Sequence, residues 1–323
     1  MVKPIVVLTR AWTETVEKVL AQKFDARLNP HDRILSEDEI IDLCQGATVL
    51  CPAAVDTINA SLISRLPKEI KLIATLSAGT QHIDLSAANN QGIQVSNTPH
   101  VVSEDTADLA MGLILAVCRR MVELDTTVRS GKWQGFKVDD PLSGLRVWGK
   151  TIGIIGLGNI GKAVAHRARA FHMPILYHNR SRDQESEVTF NAGYCGDLDE
   201  LLATSDIVSI HCPLSRDTQD LIDHRALKTM KSSSILINTS RGGVVNEDAL
   251  IRALDEGTIS GAGLDVYENE PNVRQEFRKL NNVILSPHVG TATSETRNDM
   301  GFRVVENIET FFATGTPKDL VSP

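Results

Sequence analysis

The sequence predicts an α/β protein built from two doubly wound, parallel-sheet domains that share a cleft. Two observations lead to this prediction. Short apolar runs alternate with amphipathic, helix-like stretches over most of the chain. The length of 323 residues also exceeds the usual size of a single domain. Such alternation is typical of βαβ units, in which helices cover both faces of a parallel sheet.

The first part of the chain, from Ile5 to Thr98, contains four apolar runs of strand length. The predicted strands are 5–8, 47–51, 72–76 and 93–95, and the clearest helical patterns between them are 13–22 and 37–43. A long helical pattern follows over 104–130, with Ser103 as its N-cap and Gly131 at its end. We expect this helix to lead the chain out of the first domain.

The second part of the chain repeats the same alternation more strongly. Its predicted strands are 151–155, 175–177, 207–211, 234–238, 261–265 and 283–286. Six strands with helical stretches between them are what a doubly wound dinucleotide-binding domain needs. One more helical pattern, 293–314, follows the last strand.

The composition argues against several classes of function. A net charge of −8 and an aromatic content of 4% do not suit a protein that binds nucleic acids or anionic membranes. The five cysteines are scattered, with no CxxC pair, and predict neither a disulfide framework nor a zinc site. The longest uncharged apolar stretch, Leu109–Cys118, is shorter than the ~20 residues of a membrane span. We therefore expect a cytoplasmic protein with no metal, nucleic-acid or membrane partner.

Gly156, Gly158 and Gly161 form a G-x-G-x-x-G turn between a predicted strand and a helical pattern over 159–170. The first glycine permits a tight turn, the second lets a pyrophosphate approach the backbone, and the third lets helix and strand pack closely. The helix N-terminus then faces the anion. The turn predicts a Rossmann-type dinucleotide site that includes Asn159 and Ile160.

The second strand of this domain decides between two dinucleotides. In NAD-binding domains an acidic residue about 20 positions after the glycines binds the ribose 2′-hydroxyl. Here the strand leads into the segment HNRSR at 178–182, which contains no acid. Asn179 and Ser181 can donate hydrogen bonds to a 2′-phosphate, and the guanidinium groups of Arg180 and Arg182 suit its charge. We therefore expect NADPH to be preferred, with NADH as a possible substitute.

Three further segments complete a recognisable pattern. Residues 101–110 read VVSEDTADLA, residues 237–243 read INTSRGG, and residues 261–271 read GAGLDVYENEP and are followed by SPHVG at 286–290. With the glycine turn, these segments run in order over nearly the whole chain. Together they resemble the D-isomer-specific 2-hydroxyacid dehydrogenases, in particular the glyoxylate/hydroxypyruvate reductase branch.

The resemblance implies a discontinuous substrate domain, formed by 1–99 and 291–323, with the dinucleotide-binding domain at 100–290. It also implies NADPH-dependent reduction of a small 2-keto acid to the D-2-hydroxy acid. This reaction needs a hydride donor, a cation for the carboxylate and ketone, and an acid for the emerging alkoxide. The residues in the family's positions for these roles are Arg241 as the cation, His288 as the proton donor, and Glu270 as the carboxylate that keeps His288 charged.

Other site residues follow from the resemblance by position. The loop with Leu76, Ala78 and Gly79 would bind the substrate carboxylate through backbone amides, with Leu76 as a pocket wall. Asp265 is matched to a contact with the nicotinamide carboxamide, and Cys212 to cofactor packing. Outside the glycine turn and the segment 178–182, the residues matched to cofactor contacts are Thr106, Cys212, Pro213, Thr218, Thr239, Ser240, Arg241, Asp265, His288 and Gly290.

The segment GKWQGF at 131–136 resembles a family loop that in some relatives reaches the active site of the neighbouring subunit, which implies a homodimer. Phe136 stands where a second tryptophan is frequent in the family, so the sequence does not decide which 2-keto acid is the substrate. A reductase of 2-ketogluconate or of a bulkier 2-keto acid is one alternative. A dinucleotide-sensing, corepressor-like binding protein is the alternative from another class, because such proteins retain the same motifs.

Overall fold

The chain forms two compact units, which a computed structural model describes over residues 3–140 and 142–322. Unit 1 extends to Val102 and resumes at Thr291, and unit 2 is Ser103–Gly290. Positions 1, 2, 141 and 323, which include both ends of the predicted substrate domain, lie outside the described residues. Within the described ranges no helix is both long and apolar enough to cross a membrane.

Unit 1 opens with strands and helices in strict alternation. Its elements are β1 (Ile5–Leu8), α1 (Glu14–Lys23), β2 (Asp25–Arg27), α2 (Glu37–Leu43), β3 (Val49–Cys51), α3 (Ala60–Arg65), β4 (Leu72–Ala74), α4 (Leu85–Asn90) and β5 (Gln94–Ser96). The strands pair in parallel in the doubly wound order β2-β1-β3-β4-β5. Strands β3 and β4 are fully apolar and buried, as expected for a parallel sheet covered on both faces.

Unit 2 begins with two helices and then repeats the alternation. Its elements are α5 (Ser103–Cys118), α6 (Met121–Arg129), β6 (Ile152–Ile155), α7 (Asn159–Ala170), β7 (Ile175–His178), α8 (Gln184–Phe190), β8 (Ala192–Tyr194), α9 (Leu198–Thr204), β9 (Ile207–Ile210), α10 (His224–Thr229), β10 (Ile235–Asn238), α11 (Glu247–Asp255), β11 (Gly261–Leu264) and β12 (Val283–Leu285). The parallel sheet has the order β12-β11-β10-β9-β6-β7-β8, a Rossmann sheet with a seventh strand. Apolar clusters pack α5 and α7 on one face of the sheet and α9, α10 and α11 on the other. The predicted class of two parallel-sheet α/β domains is confirmed.

The last helix, α12 (Ser294–Thr314), returns the chain to unit 1. The hydroxyl of its N-cap, Thr293, accepts a backbone N–H, and the helix ends at Gly315 in a left-handed conformation. It packs against α1 and β4, and Leu320 beyond it pairs with Ser96 at the sheet edge. The final helical pattern of the sequence therefore completes the first unit and forms no domain of its own.

The structure corrects the prediction of one long helix over 104–130. Two helices occupy this segment, because α5 ends at Cys118 and α6 begins at Met121. Arg120 between them has a left-handed φ of 51°, and neither glycine nor proline marks the break in the sequence. The edge strands β2 and β8 are also absent from the prediction, because their residues form no apolar run.

Gly301 lies where α12 packs on α1. A Cβ at this position would lie 2.6 Å from a methyl carbon of Val16, a side chain with little rotamer freedom. We expect Gly301→Ala to lower the free energy of unfolding by about 1 to 3 kcal/mol, because overpacking outweighs the gain in helix propensity. Urea unfolding followed by circular dichroism measures this change.

Gly112 in α5 is the matched control, because nothing lies within 4 Å of a Cβ built there. Gly112→Ala should leave the free energy of unfolding unchanged or raise it by up to about 1 kcal/mol. Equal stabilisation by both substitutions would contradict the close packing of α12 on α1.

Candidate active site

The glycine turn joins β6 to α7. Gly156 has a φ of +96°, and a Cβ there would lie 2.5 Å from the backbone nitrogen of Cys212. A Cβ at Gly161 would lie 2.2 Å from the carbonyl oxygen of Gly156. A Cβ at Gly158, in contrast, would have no other group within 4 Å, and no side chain caps the helix. The turn is closed toward the sheet and open at the helix N-terminus, so it fits a pyrophosphate. The first two residues of α7 are the predicted contacts Asn159 and Ile160.

The loop after β7 carries the residues predicted to select the dinucleotide. Asn179 accepts the Leu157 N–H on its Oδ1 at 2.7 Å, which fixes its side chain beside the glycine turn. Arg182 forms a bidentate ion pair with a glutamate of α8 at 2.7 Å. Arg180 and Ser181 are exposed, and the described residues make no hydrogen bond or ion pair to the Arg180 side chain. Arg180 is therefore the cation of this loop that can bind an external anion.

Other predicted cofactor residues brace the loops around the turn. The Thr218 hydroxyl donates to the Pro213 carbonyl oxygen at 2.7 Å, and the Thr106 hydroxyl donates to the Gly290 carbonyl oxygen at 3.2 Å. Burial raises the pKa of Cys212 to about 11, so its side chain is a thiol at neutral pH and not a nucleophile. No cluster of three metal-ligating side chains occurs in the described part of the chain.

Three strands of unit 2 place the residues predicted for catalysis. Parallel pairing sets the last residues of β10, β11 and β12 side by side, so the turns that follow leave from the same sheet edge. Arg241 follows β10, Glu270 follows β11, and His288 follows β12. The Nδ1 of His288 lies 2.6 Å from Oε2 of Glu270.

The turn after β10 is held by its own side chains. Oδ1 of Asn238 accepts both the N–H and the hydroxyl of Ser240 at 3.0 Å, and its Nδ2 donates to the carbonyl oxygen of Arg241 at 2.9 Å. The Arg241 guanidinium donates to the carbonyl oxygen of Ser240 at 2.6 Å. The hydroxyl of Thr239 is buried and has no hydrogen-bond partner within the described ranges. The backbone of this turn is therefore fixed before any ligand binds.

The turns after β10 and β11 pack backbone to backbone. A Cβ at Gly242 would lie 1.9 Å from the carbonyl carbon of Tyr267, so only glycine fits next to Arg241. Partial burial lowers the pKa of Arg241, and the charge of Glu270 opposes this effect. A guanidinium nevertheless stays protonated in proteins. The packing thus holds a cation near the carboxylate of the next turn.

Glu270 uses each of its oxygens. Oε1 accepts the Tyr267 N–H at 3.0 Å, and Oε2 lies against His288. Partial burial acts to raise the pKa of Glu270, but the hydrogen bonds from His288 and Tyr267 outweigh it, and the pKa lies below its ordinary value. Nε2 of His288 has no hydrogen-bond partner among the residues described. With Nδ1 held by a carboxylate, Nε2 is the atom that can exchange a proton with a ligand.

Asp265, at the end of β11, holds the loop that carries His288. Its side chain is 1% exposed; Oδ1 accepts the Val289 N–H at 2.9 Å and the Ser286 hydroxyl at 2.6 Å, and Oδ2 accepts the Gly290 N–H at 2.9 Å. Its carbonyl oxygen accepts the His288 N–H at 2.9 Å. His288 has a left-handed φ of 53°, which a non-glycine residue adopts only when its surroundings impose it. The sequence matches Asp265 to a cofactor contact and misses this role, for which a buried acid after an apolar strand is the only signal.

In unit 1, the loop after β4 is fixed through its carbonyl groups. Those of Ser77, Ala78 and Gly79 accept hydrogen bonds from the Thr98 N–H at 2.9 Å, the Asn97 Nδ2 at 2.7 Å and the Ser77 hydroxyl at 2.6 Å, respectively. Leu76 is buried. No protein acceptor for the N–H groups of Ala78 and Gly79 is present in residues 3–140 and 142–322. The loop therefore offers two amides to an anion. It belongs to unit 1, whereas Arg241, Glu270 and His288 belong to unit 2.

Comparison with known proteins assigns the chain to a family. Residues 111–290 match the family model described as D-isomer specific 2-hydroxyacid dehydrogenase, NAD binding domain. A glyoxylate reductase of Thermococcus litoralis is 42% identical over 323 residues, which cover 99% of this chain and 97% of that protein. A glyoxylate reductase of Pyrococcus horikoshii is 40% identical, with 99% and 96% of the two chains covered.

Solved structures agree with this assignment. The crystal structure of a glyoxylate reductase from Paecilomyes thermophila superposes with a TM-score of 0.88 at 33% identity and covers 99% of both chains. The structure of an NADPH-dependent glyoxylate/hydroxypyruvate reductase from Sinorhizobium meliloti, in complex with NADP and malonate, has a TM-score of 0.89 at 31% identity and covers 99% of this chain and 97% of that chain. The chain therefore belongs to the D-isomer specific 2-hydroxyacid dehydrogenase family, in its glyoxylate reductase branch, and is an NAD(P)-dependent oxidoreductase.

Proposed function

We propose that this protein reduces small 2-keto acids of the glyoxylate or hydroxypyruvate type to D-2-hydroxy acids, with NADPH as the preferred cofactor. The observation that carries the proposal is the pair formed by His288 and Glu270, whose Nδ1 and Oε2 lie 2.6 Å apart. A carboxylate on one ring nitrogen favours the imidazolium, which is an acid suited to an alkoxide product. Arg241, beside this pair, supplies the positive charge for a keto acid.

The geometry of the residues supports a separate role for each of them. Bound NADPH supplies the hydride for the ketone carbon. Arg241 binds the substrate carboxylate and draws electron density toward the ketone oxygen. His288 gives a proton from Nε2 to that oxygen, and Glu270 stays ionised and stabilises the imidazolium. The free amides of Ala78 and Gly79 can bind a carboxylate, which is the role that the family resemblance implies for this loop.

The relatives support a small substrate. The reductases of Thermococcus, Pyrococcus and Paecilomyes are named for glyoxylate, and that of Sinorhizobium for glyoxylate and hydroxypyruvate. 2-Ketogluconate or a bulkier 2-keto acid is the alternative within the same chemistry.

NADPH is proposed as the preferred cofactor because of the loop after β7. A 2′-phosphate needs cationic and neutral donors and no carboxylate at this position. Arg180 is exposed, and no protein group in the described ranges binds it, while Ser181 adjoins it and Asn179 is fixed by its bond to the Leu157 N–H. The Sinorhizobium relative, solved with NADP, is named as NADPH-dependent.

We also propose that the protein is a homodimer that associates through the surface formed by α6 and residues 131–140 and 142–148. None of the residues of α6 is buried, and Phe136 and Val138 are 89% and 92% exposed. A groove of about 790 Å³ lies beside them, lined by residues that include Trp133 and Trp148. Exposed apolar surface of this kind often marks a site where proteins associate. A second copy of the chain is the partner that the resemblance of segment 131–136 implies.

The purified protein should oxidise NADPH when glyoxylate or hydroxypyruvate is added, as measured by the loss of NADPH absorbance. His288→Ala should lower kcat by at least about 100-fold, because the proton donor is lost. The dissociation constant for NADPH, measured by fluorescence titration, should stay unchanged. Parallel assays with 2-ketogluconate and phenylpyruvate test the alternative of a bulkier substrate. Binding of NADPH without turnover of any keto acid would overturn the proposal and favour a dinucleotide-sensing binding protein.

Arg180→Gln should lower kcat/KM for NADPH by about 10- to 100-fold, the loss expected for one charge-assisted hydrogen bond, and leave that for NADH unchanged. Arg180→Asp should lower it further because a carboxylate repels the 2′-phosphate. Arg182→Gln is the matched control, because Arg182 already pairs with α8. An unchanged NADPH/NADH ratio in both Arg180 variants would remove this residue from the cofactor site.

Phe136→Asp should shift the protein from dimer to monomer in analytical ultracentrifugation, because a carboxylate would be desolvated in an apolar interface. Val188→Asp is the matched control, since Val188 is 86% exposed on α8, outside the proposed surface. A wild-type protein that sediments as a monomer at micromolar concentration would refute the proposed dimer.

A further inference from the structure

We infer that Glu247 is a positioning residue for the proton-donating pair: its carboxylate fixes the turn that carries Glu270 and so keeps Glu270 on His288. The inference rests on the proposed function only for its kinetic consequence. The hydrogen bond that carries it belongs to the structure of unit 2 and can be tested without turnover.

Glu247 is the first residue of α11, and its side chain is 6% exposed. Its Oε1 accepts the N–H of Glu268 at 2.9 Å, across 21 positions of the chain. The preceding amide, that of Tyr267, donates to Oε1 of Glu270 at 3.0 Å. Two consecutive N–H groups of one turn are thus bound by two carboxylates, one from the turn itself and one from α11.

Acidic residues are common in the first turn of a helix, where their negative charge interacts favourably with the helix dipole. This role does not account for Glu247. The side chain of Asn246 already caps α11 by accepting the Ala249 N–H at 2.9 Å. Asp248, next to Glu247 in the same turn, is exposed and pairs with Arg274 at 2.6 Å. Glu247 instead points into the protein, toward the turn after β11, where a charge has little access to water.

The surroundings of Glu247 disfavour a carboxylate, and the hydrogen bond from the Glu268 N–H offsets part of this cost. Burial raises the pKa of Glu247, and the nearby charges of Glu268 and Asp248 act in the same direction; the hydrogen bond from the Glu268 N–H, and after it Arg274, oppose this only in part. Burying a charged group is costly without hydrogen-bond donors. The Glu268 N–H supplies a donor to this side chain, so the carboxylate and the turn stabilise each other.

The consequence for chemistry follows from the position of the turn. On one side, the backbone of Tyr267 and Glu268 packs against Gly242, next to Arg241. On the other side, the same turn ends at Glu270, which must present Oε2 to His288. Without the acceptor on Glu247, the Glu268 N–H loses its partner, and Tyr267 still holds the turn through its N–H, which donates to Glu270, and its hydroxyl, which donates to the Ser286 carbonyl oxygen. The carboxylate of Glu270 is then less well placed to stabilise the imidazolium.

The test compares Glu247→Met, which keeps the bulk but removes the acceptor, with Glu247→Gln, whose amide oxygen can still accept the Glu268 N–H. Glu247→Ala is the second variant if Glu247→Met does not fold, and Asp248→Ala is the matched control from the same helical turn. Hydrogen exchange of the amides at 267 and 268, observed by NMR, reports on the bond itself. The pH dependence of kcat for keto-acid reduction, with Glu270→Gln for comparison, reports on the proton donor.

We expect Glu247→Met to speed exchange of the Glu268 amide and to lower kcat by about 10- to 100-fold, the effect of a small displacement of catalytic groups. Its decline in rate at alkaline pH should begin at lower pH, as in Glu270→Gln. Glu247→Gln and Asp248→Ala should resemble the wild type in all three measurements. The double variant Glu247→Met/Glu270→Gln should be no slower than Glu270→Gln alone, because both substitutions act on one interaction.

Unchanged exchange at Glu268 in Glu247→Met would overturn the inference, whatever the kinetics. So would an unchanged pH profile, additive effects in the double variant, or equal damage by Glu247→Gln. If the wild type binds NADPH but reduces no keto acid, the proposed function fails, and the exchange measurement still decides whether Glu247 positions the turn.

Discussion

The register of β10, β11 and β12 is the constraint on which the candidate site depends. The strands end side by side in a parallel sheet, where neighbours lie about 4.8 Å apart, so the turns that follow begin next to one another. Arg241, Glu270 and His288 are brought together by this pairing and by nothing in the local sequence. Gly242 shows how close the turns come, because no side chain fits between it and Tyr267.

Carboxylates hold these turns in place and also set the charge of the site. Asp265 binds the loop with His288 through backbone N–H groups and a hydroxyl, and Glu270 binds a backbone N–H as well as the imidazole. A buried carboxylate needs donors to offset its lost hydration. Here the donors are the loops that must be fixed. Removal of either charge would therefore also alter the geometry, including that of the loop in which His288 has a left-handed φ.

The glycine turn and the pair formed by His288 and Glu270 lie at one edge of the sheet. In a parallel sheet all carboxyl ends face the same way, so the turn after β6 opens at the same edge as the turns after β10, β11 and β12. The change of strand order lies between β6 and β9, next to the glycine turn. The glycines remove side chains where backbone and ligand approach, and Arg180 lies at the end of the neighbouring strand. The turn proposed to bind the dinucleotide and the pair proposed to donate the proton thus lie at different positions along one edge.

The sequence by itself determined the features that depend on residues close together in the chain. Apolar runs located most strands, because a strand of a covered parallel sheet is apolar on both faces. The spacing of Gly156, Gly158 and Gly161 identified the turn, and four motifs identified the family. The edge strands β2 and β8 escaped because they lack such runs, and the break at Arg120 because no glycine or proline marks it.

Only the tertiary structure decided which side chains are engaged and which are available. It pairs Arg182 with α8 and leaves Arg180 exposed, and it turns Asp265 into the support of the His288 loop. It also directs Glu247 to a turn 21 residues away. Each of these outcomes depends on hydrogen bonds between segments that the sheet brings together. The physical reason is that burial and the position of a partner, which set the energy of a charged group, are properties of the folded chain and not of the residue.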